Sequence, residues 1–73
     1  MVFTKQEAAL MLLLAEQRLT TLNDILSLEE DVRAYRKRCG DTEEEIESRI
    51  AGYKREKTAC ETIITKLEGM INQ

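Results

Sequence analysis

Arg33, Arg49 and Lys57 fall in the same half of the chain as Tyr35 and Tyr53, and helical segments would bring all five near one another. Such a band could hold an anion. A guanidinium grips phosphate with two parallel hydrogen bonds, an ammonium adds a point charge, and a phenol ring stacks on a base. The same residues also have a plain structural use. A single polar residue in a packed helical seam, as Lys57 would be, fixes the register of the helices at some cost in stability. Arg and Tyr are common in ordinary interfaces as well.

Other chemistries find less support. Asp41, Glu43, Glu44, Glu45 and Glu47 form an acidic run, but without the glycine-containing loop and regular ligand spacing of a calcium site. Cys39 and Cys60 are not a CxxC pair, and the chain has no His to complete a zinc site, so no metal and no cofactor is expected. Neither thiol has a histidine base, and Ser27 and Ser48 lie in no nucleophile motif. Paired carboxylates for acid–base work need a cleft to separate their pKa values, which a narrow bundle rarely provides. No enzymatic activity is expected.

The elements that would position these residues are two long helices. Thr4-Lys5-Gln6-Glu7 reads as a capping box, with Phe3 as its hydrophobic staple, and no Gly or Pro interrupts the chain from there to Arg38. Gly40 suits the left-handed residue that closes a helix, and Asp41-Thr42 offers a new cap with Glu44 or Glu45 three residues on. The expected fold is therefore all-α: an antiparallel two-helix hairpin, with a helix over about 4–38, a turn at 39–41 and a helix over 42–70, in a single domain spanning 1–73. Two cysteines separated along a helical path lie about 30 Å apart, too far for a disulfide between them.

In the second helix Ile46, Ile50, Tyr53, Lys57, Cys60, Ile64, Leu67 and Ile71 alternate by four and three, the spacing of a packed seam. In the first, Leu12, Ala15, Leu19, Leu22 and Leu26 make one stripe. A three-residue skip near position 25 would carry it on through Ile25, Leu28, Val32, Tyr35 and Cys39. Folding at Gly40 pairs positions whose numbers sum to about 82, so Tyr35 meets Ile46, Leu28 meets Tyr53 and Leu22 meets Cys60.

That pairing leaves apolar side chains over. The run AALMLLLA at 8–15 coats every side of a helix, and Leu10, Met11, Leu13, Leu14, Ile63 and Met70 lie off the seam. They are expected to form an oligomer interface, a homo-oligomeric helical bundle being the usual way for hairpins to bury a wide stripe. Six such side chains are worth on the order of 10 kcal/mol at ~25 cal/mol per Å2.

Composition narrows the partners. Charged residues make up 34% of the chain and apolar ones 42%, the profile of a long-helix protein, and the net charge is −3. DNA or RNA binding is not expected, because basic residues alternate with acids and no nucleic-acid motif is present. No membrane span is expected either, since the apolar run is far shorter than ~20 residues. Glu7 at the entrance of that run and the absence of a small-residue cleavage site argue against a signal peptide, and free thiols fit a reducing, cytoplasmic setting. The two-helix plan resembles that of small RNA-binding hairpin dimers and, in scale, that of small oligomeric viral proteins that sequester signalling nucleotides.

The reading that emerges is a non-enzymatic binding protein: a homo-oligomeric helical hairpin acting as a protein-interaction module, an adaptor or inhibitor of another protein. The alternatives are a sponge for a small anionic ligand such as a signalling nucleotide, held by Arg33, Tyr35, Arg49, Tyr53 and Lys57, and a structural subunit of a larger assembly.

Overall fold

A computed structural model describes residues 3–72. Within them α1 runs Lys5–Asp31, α2 is a single short helix Arg33–Arg38 continuing its path, and α3 runs Glu43–Ile71 back along α1. The described residues contain no strand, and the whole is a rod of 51 × 17 × 14 Å. Among the described residues no helix is long and apolar enough to cross a membrane.

The caps explain where the helices start. Glu7 N–H donates to the Thr4 hydroxyl at 3.1 Å and the Thr4 N–H donates to the Glu7 carboxylate at 2.9 Å, a complete capping box. At α3 the Thr42 hydroxyl accepts from the Glu45 N–H at 3.1 Å. The return bond expected of a second capping box is not made, because the Thr42 hydroxyl itself donates to the Glu45 carboxylate and holds it away from the backbone.

Between the helices the chain reverses through a Schellman motif: the Gly40 N–H donates to the Lys37 carbonyl and the Asp41 N–H to the Arg36 carbonyl. Gly40 stands at φ +105°, the one positive φ among the described residues. A Cβ there would meet nothing within 4 Å, so only the backbone conformation demands glycine. Gly40→Ala is expected to lower the unfolding free energy by about 1–2 kcal/mol, the cost of left-handed backbone in an L-residue, as measured by urea denaturation.

The continuous first helix expected over 4–38 is interrupted at Val32. That residue sits at φ −98°, ψ 5°, in the bridge region at the edge of helical space, and divides α1 from α2. The backbone ladder nonetheless runs through it, since Val32 N–H reaches the Leu28 carbonyl at 3.0 Å and Arg36 N–H reaches the Val32 carbonyl at 2.9 Å. Asp31 and β-branched Val32 are both weaker helix formers than the Glu, Arg and Ala residues on either side of them.

The seam keeps one phase throughout. Taking its positions as a and d of a heptad, α1 and α2 contribute Ala8, Leu12, Ala15, Leu19, Leu22, Leu26, Glu29, Arg33 and Arg36. The α3 residues Ile46, Ile50, Tyr53, Lys57, Cys60, Ile64, Leu67 and Ile71 answer them, and all of these are buried or half-buried. The α3 stripe is the one expected from sequence. In the first helix the expected skip does not occur: Leu28 is 58% and Tyr35 62% exposed, and Cys39 is exposed too. The pairings of Leu28 with Tyr53 and Tyr35 with Ile46 therefore fail. Unbroken heptad phase puts Glu29, Arg33 and Arg36 in their place, even across the interruption at Val32.

Candidate functional site

Polar residues in the seam near the turn need partners, and they find one another. Glu29, one heptad beyond Leu22, is 5% exposed. Its carboxylate accepts from Arg36 Nη2 at 3.3 Å and lies 3.4 Å from Arg49 Nε, whose Nη2 donates to Asp41 at 3.4 Å. One buried carboxylate thus joins α1, α2, α3 and the turn. The satisfaction is incomplete: Glu29 Oε2, Arg36 Nε and Arg49 Nε are buried without a well-aligned hydrogen bond.

On the opposite flank Arg33 is the centre of a second cluster. It donates to Glu30 at 3.0 Å, Glu43 at 2.5 Å and Glu47 at 2.6 Å, and Lys37 also pairs with Glu43. Further down the rod Arg18 grips Glu56 with two bonds, at 2.6 and 3.0 Å. The carboxylates of these pairs are exposed, and each pair contributes at most modestly to stability.

Their carboxylates nevertheless titrate low. Lys37 followed by Arg33 lowers Glu43, Arg33 lowers Glu30, and Arg18 lowers Glu56, each below the usual 4.5. At Glu7 the Thr4 backbone N–H, then its hydroxyl, does the same. Groups depressed in the folded state add stability that is present above the unfolded value and lost as pH falls through the folded one. The melting temperature is therefore expected to hold between pH 7 and 5 and to fall below about 4.5, with a smaller fall at high salt, where exposed pairs are screened.

The five residues expected to bind an anion are only partly brought together. Arg33 and Arg49 lie on opposite flanks of the seam, each already engaged by carboxylates. Tyr35 projects to solvent at 62% exposure, while Tyr53 and Lys57, one turn apart in α3, are half-buried in the seam. A shallow hollow at the start of α3 is lined by Thr42, Glu44, Glu45, Ser48 and Arg49, with two carboxylates in its wall. Among the described residues no group of three or more acidic or sulfur side chains converges as a metal site. Both cysteines are free, Cys39 exposed and Cys60 buried.

Glu29 was not among the expected site residues. Its signal was available in the spacing, seven after Leu22 and fourteen after Ala15, but only to a reading that lets a charged residue occupy an apolar stripe.

The six off-seam apolar residues divide between two surfaces. Leu10, Leu13 and Leu14 occupy heptad positions f, b and c, on the side of α1 turned away from α3, and are 58, 51 and 55% exposed. Leu28 and Tyr35 repeat position c further along. Met11, Ile63 and Met70 instead lie at g, where the two helices meet.

The class defined by this fold is the two-helix antiparallel hairpin. Comparison of the chain with models of protein families, with curated proteins and with solved structures returned no match.

Proposed function

We propose that this protein is a non-enzymatic binding protein, a small homo-oligomeric helical hairpin that acts as a protein-interaction module, an adaptor or an inhibitor of another protein. The observation that carries the reading is the outer face of α1. Leu10, Leu13 and Leu14 present a contiguous apolar patch that the hairpin's own α3 does not approach, each more than half exposed. Apolar patches of this kind, rimmed by charge, suit a partner's amphipathic helix. Glu16, Gln17 and Arg18, in the turn that follows, are exposed and polar. The test is capture of a protein partner by the wild-type chain and its loss in Leu13→Glu, with helicity unchanged. Capture that is indifferent to Leu13→Glu would sink this surface as the working one.

A second reading is favoured by Lys57. It is a half-buried lysine in the seam with no ion pair among the described residues, and Tyr53 lies one turn away. It would hold one phosphate of a small anionic ligand such as a nucleotide. Calorimetric titration with a nucleotide panel separates the two readings: micromolar binding abolished by Lys57→Ala supports the sponge, and silence across the panel supports the interaction module. A purely structural subunit would instead show assembly that keeps growing with concentration.

A further inference from the structure

The two flanks of the seam differ sharply. At the e positions stand Ala9, Glu16, Asn23, Glu30 and Lys37 with Glu47, Lys54, Glu61 and Glu68, all exposed and none of them a large apolar residue. At the g positions stand Met11, Arg18, Ile25 and Val32 with Arg49, Glu56, Ile63 and Met70. Ile25, Val32, Arg49, Glu56 and Met70 are half-buried, and Met11 and Ile63 are only 36 and 44% exposed. A hairpin that needed only its own seam would have no use for the second pattern. Apolar residues at a, d and g, rather than at a and d alone, form the wide stripe of a helix with neighbours on two sides.

We infer that the g flank is the surface on which a second copy of this chain packs, about a two-fold axis parallel to the rod, so that both turns lie at the same end. This rests on the self-association in the proposed function and names the face and orientation that accomplish it.

The distribution of groups along the flank selects the orientation. Counting back in both directions from the turn between Arg38 and Glu43 puts Met11 level with Met70, Arg18 with Ile63, Ile25 with Glu56 and Val32 with Arg49. The end away from the turn is apolar, and the turn end holds Arg49 beside the Glu29 and Arg36 cluster. With turns at opposite ends, Met11 and Met70 would cover Arg49 and strip it of water without offering a carboxylate. With turns together, Met11 of each copy covers Met70 of the other, and the apolar ends coincide.

Charge complementarity supports the same choice. Arg18 reaches its own Glu56 although it stands level with Ile63, one heptad away, and its Nη1 has no partner among the described residues. In the two-fold pair α1 of one copy lies over α3 of the other, so the same reach brings Arg18 to the second copy's Glu56. The only charges in the middle of the flank then neutralise each other across the interface as well as within each chain.

Light scattering at tens of micromolar is expected to give the mass of a dimer, reduced to that of a monomer by Ile63→Glu and unaffected by Lys54→Glu on the e flank. Arg18→Glu is expected to dissociate the dimer, and adding Glu56→Arg to restore it. Circular dichroism of each variant separates loss of pairing from loss of folding. Cys39, the exposed native thiol at the turn, takes a spin label. The distance between labels in the dimer is expected to be well below the 51 Å length of the rod. A monomeric wild type would overturn self-association itself. A dimer that withstands Ile63→Glu and Arg18→Glu but dissociates with Leu13→Glu would overturn this face and leave self-association standing. Labels at opposite ends would overturn the orientation.

Discussion

Leu22→Ala is expected to lower the unfolding free energy by about 2–5 kcal/mol, the range for truncating a buried leucine. The reason is how little of this molecule is fully enclosed. Leu22 and Ile46 are the two largest side chains wholly removed from solvent, each at 0% exposure, and the remaining buried apolar residues among those described are only Ala8, Ile50, Cys60 and Leu67. A cavity at Leu22 lies in the middle of the rod, where neither end can collapse to fill it. Loss of this size takes a large share of the stability of a small domain. Urea denaturation at fixed protein concentration measures it, since association shifts the apparent midpoint. A change under 1 kcal/mol would show that the mid-rod seam packs loosely.

Glu29→Leu is expected to act in the opposite direction, raising the unfolding free energy by about 1–2 kcal/mol, while Glu29→Ala lowers it by a similar amount. The carboxylate is desolvated, and its contacts at 3.3 and 3.4 Å are long for charge-assisted bonds. Arg36 and Arg49 keep about a third of their side-chain surface exposed and can turn to water once the carboxylate is gone, and Arg49 retains Asp41. Leucine at that position would continue the stripe of Leu22 and Leu26 without a gap. What the glutamate supplies is definition, since it ties three helices and the turn to one point. Amide hydrogen exchange around 33–42 is therefore expected to quicken in Glu29→Leu despite its greater stability. A destabilised Glu29→Leu would mean that the ionic cluster outweighs the leucine.

The helices and their ends could be read from the residues because local chemistry sets them. Thr4, Gly40 and Thr42 act through bonds to residues three positions away, and the α3 stripe is apolar at every position but Lys57. The first helix was harder beyond Leu26. There the heptad positions are Glu29, Arg33 and Arg36, and hydrophobicity points instead to Leu28, Val32 and Tyr35, one position away. Which set faces α3 depends on whether acids and bases from distant segments can satisfy one another in the seam, and that is visible only once α3 and the turn are in place. The candidate anion-binding residues were dispersed for the same reason. Arg33 and Arg49 looked free in one dimension but find Glu30, Glu43 and Glu47, or Glu29 and Asp41, in three.

The e flank bears on how far assembly can go. It carries Glu16, Glu30, Glu47, Glu61 and Glu68 against only Lys37 and Lys54, so two rods brought together along that side meet like charge with like. A rod sticky on both sides would stack without limit into ribbons. If rods pair through the g flank as proposed, repulsion along this edge would stop growth at the pair, and raising the ionic strength would weaken that brake while leaving apolar contacts intact.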